Sequence, residues 1–288
     1  MVNISVIGAS GLVGSNVLRA ASELNLPVEG SSLSQKSGLK QLDITDYSQL
    51  KNYIQNTKPE TIVNCAGIVG KEACNKEPGM AVAVNKTAVE YLSRLCIENG
   101  IKLFHLSTVA VHDGKKQTPY VEEDLPTLID GNWYNITKVG AENFALEVPS
   151  AVILRVGDTY GYGINPEHIG GSIFKWAYET LKKGNNVPAF KGLRTNQTLL
   201  SDVGNVVMHL ISEGYEGILN IGGNTIEVAE FFEKMCMSFN LPGNIELKDV
   251  PSNYQANREL GLTKMNLLGI KMHDVQEGLE SLIQYYRI

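Results

Sequence analysis

No apolar run in this chain approaches the roughly 20 residues needed to cross a bilayer, and no run of lysine or arginine exceeds two residues. The first absence predicts no membrane-spanning segment. The second, together with a net charge of −6, leaves no tract suited to nucleic acid or an anionic membrane surface. Cysteine is scarce too: Cys65, Cys74, Cys96 and Cys236 show neither CxxC spacing nor a nearby histidine cluster. No metal site and no disulfide framework are expected, and ordinary thiols in a reducing compartment are. Met1-Val2-Asn3-Ile4 runs straight into the first strand, so no leader is expected and a cytoplasmic location is. What is abundant is apolar residue, 43% of 288, enough to bury one large α/β unit or such a unit with a smaller lobe. A small-molecule partner fits this composition best.

Runs of β-branched residues at Ile4–Ile7, Val28–Ser31, Thr61–Asn64, Lys102–Leu106 and Ala151–Arg155 predict strands. Helix-period segments fall between them, near 11–24, 46–56, 79–99 and 134–147. Such alternation favours right-handed βαβ crossovers, hence an α/β fold with a doubly wound parallel sheet of the Rossmann type. After Arg155 the rhythm breaks into loops rich in glycine and asparagine, Gly157–Asn165 and Gly184-Asn185-Asn186, around a helix near 171–183. Gly217–Ile221 is expected to rejoin the sheet, with 226–239 and 275–286 as amphipathic cover. Ligands bind beyond the carboxyl ends of parallel strands. The expected division is therefore a dinucleotide-binding domain over 1–155, rejoined by about 199–221, and a smaller C-terminal substrate-binding lobe from 156–198 and 222–288.

The first strand leads into Gly8-Ala9-Ser10-Gly11-Leu12-Val13-Gly14. A glycine turn between strand and helix lets a pyrophosphate approach backbone N–H groups without meeting a Cβ. Gly8, Ser10, Gly11, Leu12 and Val13 are the candidates for that contact. The spacing is GxxGxxG rather than the commoner GxGxxG, and turns of this kind also arise for steric reasons alone.

Tyr134-Asn135-Ile136-Thr137-Lys138 sets a phenol and an ammonium four residues apart, on one helix face. A fixed cation beside a tyrosine, whose ordinary pKa is about 10, stabilises the phenolate and prepares it for acid–base work. A solvated surface pair is the competing reading. Upstream, Leu103–Thr108 is a strand ending in two hydroxyls, where parallel sheets display ligands. Thr108 is placed to bond the carbonyl oxygen that Tyr134 protonates, with Ser107 as a loop support.

These residues resemble the extended short-chain dehydrogenase/reductase family. Gly8, Gly11 and Gly14 are similar to its glycine fingerprint, Leu42-Asp43-Ile44-Thr45-Asp46 to its adenine-side loop, and Asn64-Cys65-Ala66-Gly67 to its NxAG segment. Asn85, Thr108, Tyr134 and Lys138 fall where its motifs place the active-site set, and Gly217–Gly223 resembles its late strand and turn. Within the family the nearest group is that of the dTDP-4-dehydrorhamnose reductases. Its "STDYVFDG…PYxEED…YxxTKxxGE" pattern is similar to Ser107–Gly114, Pro119–Asp124 and Tyr134–Glu142. Val109 and Ala110 replace the group's Asp-Tyr, and they also lack the acidic pair that the family's dehydratases carry.

The resemblance implies an NAD(P)-dependent reductase of 4-keto nucleotide-diphosphate sugars, with Thr108, Tyr134 and Lys138 as catalytic residues. Tyr134 would donate the proton, while Lys138 would lower its pKa and hold the nicotinamide ribose. It implies cofactor contacts at Asp43, Ile44, Cys65, Ala66 and Gly67 as well. A sugar epimerase holding its cofactor tightly remains the alternative, as does a non-catalytic NADP-binding subunit, because the regulatory beta subunit of methionine adenosyltransferase is one such relative.

The choice between NADP and NAD depends on the residues after the second strand. Gly30–Lys36 carries no acid after Glu29, and the hydroxyl of Ser32 with the ammonium of Lys36 suits a 2′-phosphate. NADP is therefore expected, with NAD possible and Lys36 as a solvated loop residue the competing reading. Asp43 has a rival role as a helix cap, for which Thr45 or Asp46 is better placed. On the substrate side Val109 and Ala110 are expected to face the sugar. Arg194, in a polar loop with Asn196 and Gln197, is the candidate diphosphate clamp, against an exposed salt bridge. His112 and His168 read as solvated loop residues, and Trp133 and Trp176 as packing, with Trp133 near the pocket. The stripes on 79–99 and 134–147 suit either the sheet or a homodimer.

Overall fold

The computed structural model describes residues 3–163, 169–170, 172–251 and 257–286. In the first half, strand and helix alternate as β1 (Ile4–Ile7), α1 (Leu12–Glu23), β2 (Val28–Ser32), β3 (Lys40–Gln41), α2 (Tyr47–Thr57), β4 (Thr61–Asn64), α3 (Lys71–Lys76), α4 (Pro78–Val82), α5 (Ala88–Asn99), β5 (Lys102–Thr108), α6 (Trp133–Ala145) and β6 (Val152–Val156). A π-helical turn, Ala83–Thr87, joins α4 to α5, and a 3-10 turn, Val109–Val111, follows β5. The second half contains β7 (Asp158–Tyr162), β8 (Ile169–Gly170), α7 (Ser172–Lys182), β9 (Val187–Phe190), β10 (Arg194–Leu199), α8 (Leu200–Ser212), β11 (Gly217–Ile221), β12 (Thr225–Glu227), α9 (Val228–Phe239), β13 (Ile245–Lys248), β14 (Asn257–Arg258), α10 (Thr263–Leu267) and α11 (Val275–Tyr286).

Seven strands form one parallel sheet in the order β11-β6-β5-β4-β1-β2-β3. Side chains alternate across it, as the two-residue period of a strand requires. Val6, Val63, Phe104 and Leu154 pack with α1 and α8 on one face, while Ile7, Ile62, Leu103 and Ile153 pack with α2, α5 and α6 on the other. Each fully buried side chain of this kind contributes about 1.5–3 kcal/mol. The chain winds outward in both directions from β1 and β4, so a crevice opens between their carboxyl ends. Gly8 and Cys65–Ala66 meet at that crevice.

A second core lies among Tyr160, Phe174, Phe231, Phe232, Val275 and Leu279, beneath the smaller sheet β12-β10-β7-β8. Among the described residues no helix is long and apolar enough to cross a membrane.

The expected strands and helices are present with ends shifted by one or two residues, apart from the segment 79–99. That segment is interrupted at Ala83–Thr87 rather than continuous. Two further differences lie in the second half. Part of the segment read as the loop Gly157–Asn165 is β7, and the polar run at Arg194–Thr198 is β10. His168 and Ile164–Asn165 lie outside the described residues.

Candidate active site

The turn after β1 is built by three glycines with different work. Gly8 sits at φ 78, in the left-handed region that suits glycine, and a Cβ there would lie 2.7 Å from the Ala66 nitrogen at the exit of β4. Gly14 packs so closely that its Cβ would lie 2.3 Å from the Gly8 carbonyl oxygen. Gly11 closes the turn by donating its N–H to Gly8 O at 3.0 Å and then caps α1. That cap carries no side-chain hydrogen bond, Gly11 and Ser10 are exposed, and the first turn of α1 has no acid. The N–H groups at Leu12 and Val13 thus open an α-helix whose own first turn supplies no carboxylate to its positive end. These residues fit a dinucleotide pyrophosphate.

Around this cradle Asp43 does not cap α2. It accepts from the Thr45 N–H and hydroxyl at 2.9 and 2.6 Å, while Asp46 caps the helix. Ile44 and Cys65 are half-buried, and Ala66 is half-buried next to exposed Gly67. The Ser32 hydroxyl donates to Ser34 O at 2.7 Å, which shapes the turn, and Lys36 is exposed.

Asn132 caps α6 by accepting from the Asn135 N–H at 3.1 Å and so fixes where Tyr134 and Lys138 point. The Thr108 hydroxyl neighbours the Tyr134 phenol and acts on it. Thr108 also accepts from the Ala110 N–H at 3.2 Å, so the 3-10 turn after β5 holds it in place. Burial pushes the Tyr134 phenol up from its ordinary value, and the Thr108 hydroxyl opposes this. Lys138 makes no hydrogen bond to that phenol among the described residues. Lys138 Nζ instead donates to Leu106 O at 2.5 Å and lies 3.3 Å from His105 Nε2. Burial brings Lys138 down to about 8, with Glu142 opposing the shift. A phenol that keeps its proton at neutral pH is suited to donate one.

Buried bonds brace this set. Glu142 pairs with Arg155 at 3.0 Å, both side chains 1% exposed, and accepts from the Ser107 hydroxyl. The same arginine bonds the carbonyls of Glu122 and Asp124 at 3.2 Å, which ties the loop after β5 to β6. Asn85, in the π turn, accepts from the Ile68 N–H at 2.7 Å and donates to Ile68 O at 2.9 Å and Thr137 Oγ1 at 3.3 Å. An extra residue in the helical turn swings Asn85 into that reach.

The two substrate-side candidates have partners of their own in the structure. Val109 is 2% exposed and packs with Tyr120, Leu260 and Leu262, so it faces the core rather than a sugar, whereas Ala110 is half-buried. Arg194 is an exposed ion pair with Glu259 at 3.4 Å, at the start of β10. A cation that acts on the Tyr134 phenol is Arg258 of β14, paired with Asp158 of β7, which also accepts from the Thr195 hydroxyl at 2.8 Å. Asp158 and Arg258 carry no motif, and 100 residues separate them. His112 is buried and stacked on Tyr120 at 4.1 Å instead of solvated, and Trp133 is 36% exposed.

Residues 2–287 match the family described as the RmlD substrate binding domain. The chain is 30% identical over 237 residues to the probable low-salt glycan biosynthesis reductase Agl14 of Haloferax volcanii, covering 80% of this chain and 78% of that one. It is 28% identical over 263 residues to the dTDP-4-keto-6-deoxy-D-glucose reductase of Streptomyces niveus, covering 88% and 84%. A methionine adenosyltransferase 2 subunit beta, from Xenopus laevis, is 26% identical over 92% of this chain and 82% of its own. The crystal structure of the Bacillus anthracis dTDP-4-dehydrorhamnose reductase in complex with NADP has the same fold, with a TM-score of 0.86, 21% identity and 99% of both chains covered. The chain belongs to the RmlD substrate binding domain family and is an enzyme of the extended short-chain dehydrogenase/reductase kind.

Proposed function

We propose that this enzyme reduces the keto group of a 4-keto nucleotide-diphosphate sugar with NADPH. The observation that carries the reading is the buried Tyr134 phenol, held protonated and neighboured by the Thr108 hydroxyl at the carboxyl end of β5, together with a glycine cradle open to a pyrophosphate. Gly8, Ser10, Gly11, Leu12 and Val13, with Asp43, Ile44, Cys65, Ala66 and Gly67 along the crevice, would hold NADPH, which would supply the hydride. Thr108 orients the carbonyl by hydrogen bonding its oxygen. Tyr134 gives that oxygen its proton, so the ketone becomes an alcohol and the phenolate is left to recover a proton from solvent. Lys138, one turn along α6, serves the cofactor's ribose hydroxyls. The absence of acid after Glu29 and the positions of Ser32 and Lys36 support NADP over NAD, as does the NADP held by the similarly folded Bacillus anthracis reductase. The names of the Streptomyces relatives, a dTDP-4-keto-6-deoxy-D-glucose reductase and a dTDP-4-dehydrorhamnose reductase, support a nucleotide sugar as substrate.

The test is oxidation of NADPH with a panel of 4-keto nucleotide sugars, followed for wild type and Tyr134→Phe. The reading predicts one NADPH consumed per ketone reduced, and a Tyr134→Phe enzyme slowed by about 10²–10⁴-fold that still binds NADPH. Epimer formed without net NADPH oxidation would transfer the same residues to an epimerase. No turnover with any sugar, alongside unaltered NADPH binding, would make the chain a binding subunit.

A further inference from the structure

Behind Lys138 lies a buried chain of polar groups that the proposed reaction does not use. Lys138 Nζ is 3.3 Å from His105 Nε2, and His105 Nδ1 is 3.3 Å from the side-chain nitrogen of Asn64. Asn64, His105 and Lys138 are 1%, 1% and 7% exposed. The orientation of the Asn64 amide is set by its other end, because its oxygen accepts from the Ala66 N–H at 3.2 Å. An amide's oxygen and nitrogen ends are distinguished by the partners they meet. Its NH2 end therefore faces His105 Nδ1, which must be an acceptor. A neutral imidazole accepting at Nδ1 carries its proton on Nε2, so an N–H points at Lys138.

An ammonium has no lone pair with which to receive that N–H. A neutral amine does, and it keeps two N–H donors, one of which goes to Leu106 O at 2.5 Å. Each of the three contacts then pairs one donor with one acceptor. With the lysine protonated, two donors oppose each other among side chains at most 7% exposed, or the imidazole must change tautomer and the Asn64 amide must turn away from Ala66. We infer that Asn64 and His105 are a positioning pair that presents an N–H to Lys138, favours its neutral amine and makes its third proton easy to release. The inference rests on the reading of Lys138 as part of the catalytic set.

The other groups facing the lysine act in the opposite sense: Glu142 one turn along α6, Cys65 beyond β4 and Cys74 on α3 all favour its charged form. Burial and the neighbouring Lys138 hold His105 well below its ordinary value, so the imidazole stays neutral and only the position of its proton can change.

The imidazole tautomer is read by 15N NMR on the intact, unliganded chain labelled at histidine, with His105→Gln identifying the resonance among the five histidines. The inference predicts an Nε2–H imidazole at alkaline pH, giving way to the Nδ1–H form as the lysine gains its proton around pH 8. In Asn64→Asp the carboxylate accepts from both Ala66 N–H and Nδ1–H, so His105 should be Nδ1–H throughout. The added charge also attracts the ammonium, which leaves the tautomer as the deciding signal. An Nδ1–H imidazole in wild type at every pH, or an unchanged tautomer in Asn64→Asp, would overturn the pair. Neither measurement needs cofactor or sugar, so it is separate from the NADPH assay that tests the reaction itself.

Discussion

Glycine, glutamate and threonine each make a separable prediction at single positions. Gly14→Ala would place a methyl 2.3 Å from Gly8 O, and the strain of such overpacking costs about 1–3 kcal/mol. The phosphate turn has to shift, so a lowered urea midpoint with an at least tenfold weaker NADPH affinity, read by fluorescence titration, is the expected pair of results. Glu142→Ala strands the buried Arg155 guanidinium, a loss of about 3–5 kcal/mol in denaturant unfolding. Thr108→Val removes the hydroxyl that neighbours the phenol and, on the proposed reading, orients the carbonyl, so kcat should fall about 10²-fold while NADPH binding holds. These positions were legible in the sequence because short spacings carry them: glycines three apart, and Tyr134 and Lys138 four apart. Asp158 and Arg258 were not, since only folding brings β7 and β14 side by side.

At the scale of elements, the strands of the parallel sheet declared themselves because they are buried on both faces and read as continuous β-branched runs. β10 did not, because its core-facing residues are polar. Thr195, Asn196 and Thr198 are fully buried yet bonded to Asp158, Gly223 O and Leu260 N–H, and the chain's own backbone, so hydropathy reads the segment as a loop. The π turn at Ala83–Thr87 was equally silent. Its cause is tertiary, the demand of the Ile68 backbone for both ends of the Asn85 amide. Asn85→Ala should release that segment, with faster hydrogen exchange at Ile68 and in Ala83–Thr87 than in α5, and a lower affinity for the dinucleotide. Unchanged exchange there would mean that the turn forms without its asparagine.

Across the whole molecule, the crevice where the sheet winds in both directions brings cradle, Thr108 and Tyr134 together, and buried histidines tie its stability to pH. Burial is the main cause holding His112 at about 4, below its ordinary 6.5, so between these values the unfolded chain binds a proton that the folded chain does not. Stability must rise with pH across that window and fall as the solution is acidified through it. The melting temperature should therefore drop from pH 7 to pH 4.5, with a shallower slope in His112→Phe, which keeps a ring against Tyr120. The central claim, that the crevice passes a hydride to a sugar ketone while Tyr134 supplies the proton, is tested most directly with NADPH deuterated at the transferable position of nicotinamide C4. The account predicts deuterium on the new carbinol carbon of the sugar, one per NADPH oxidised, and none with Tyr134→Phe over the same interval. A sugar product without the label, or a labelled product formed equally fast by Tyr134→Phe, would contradict it.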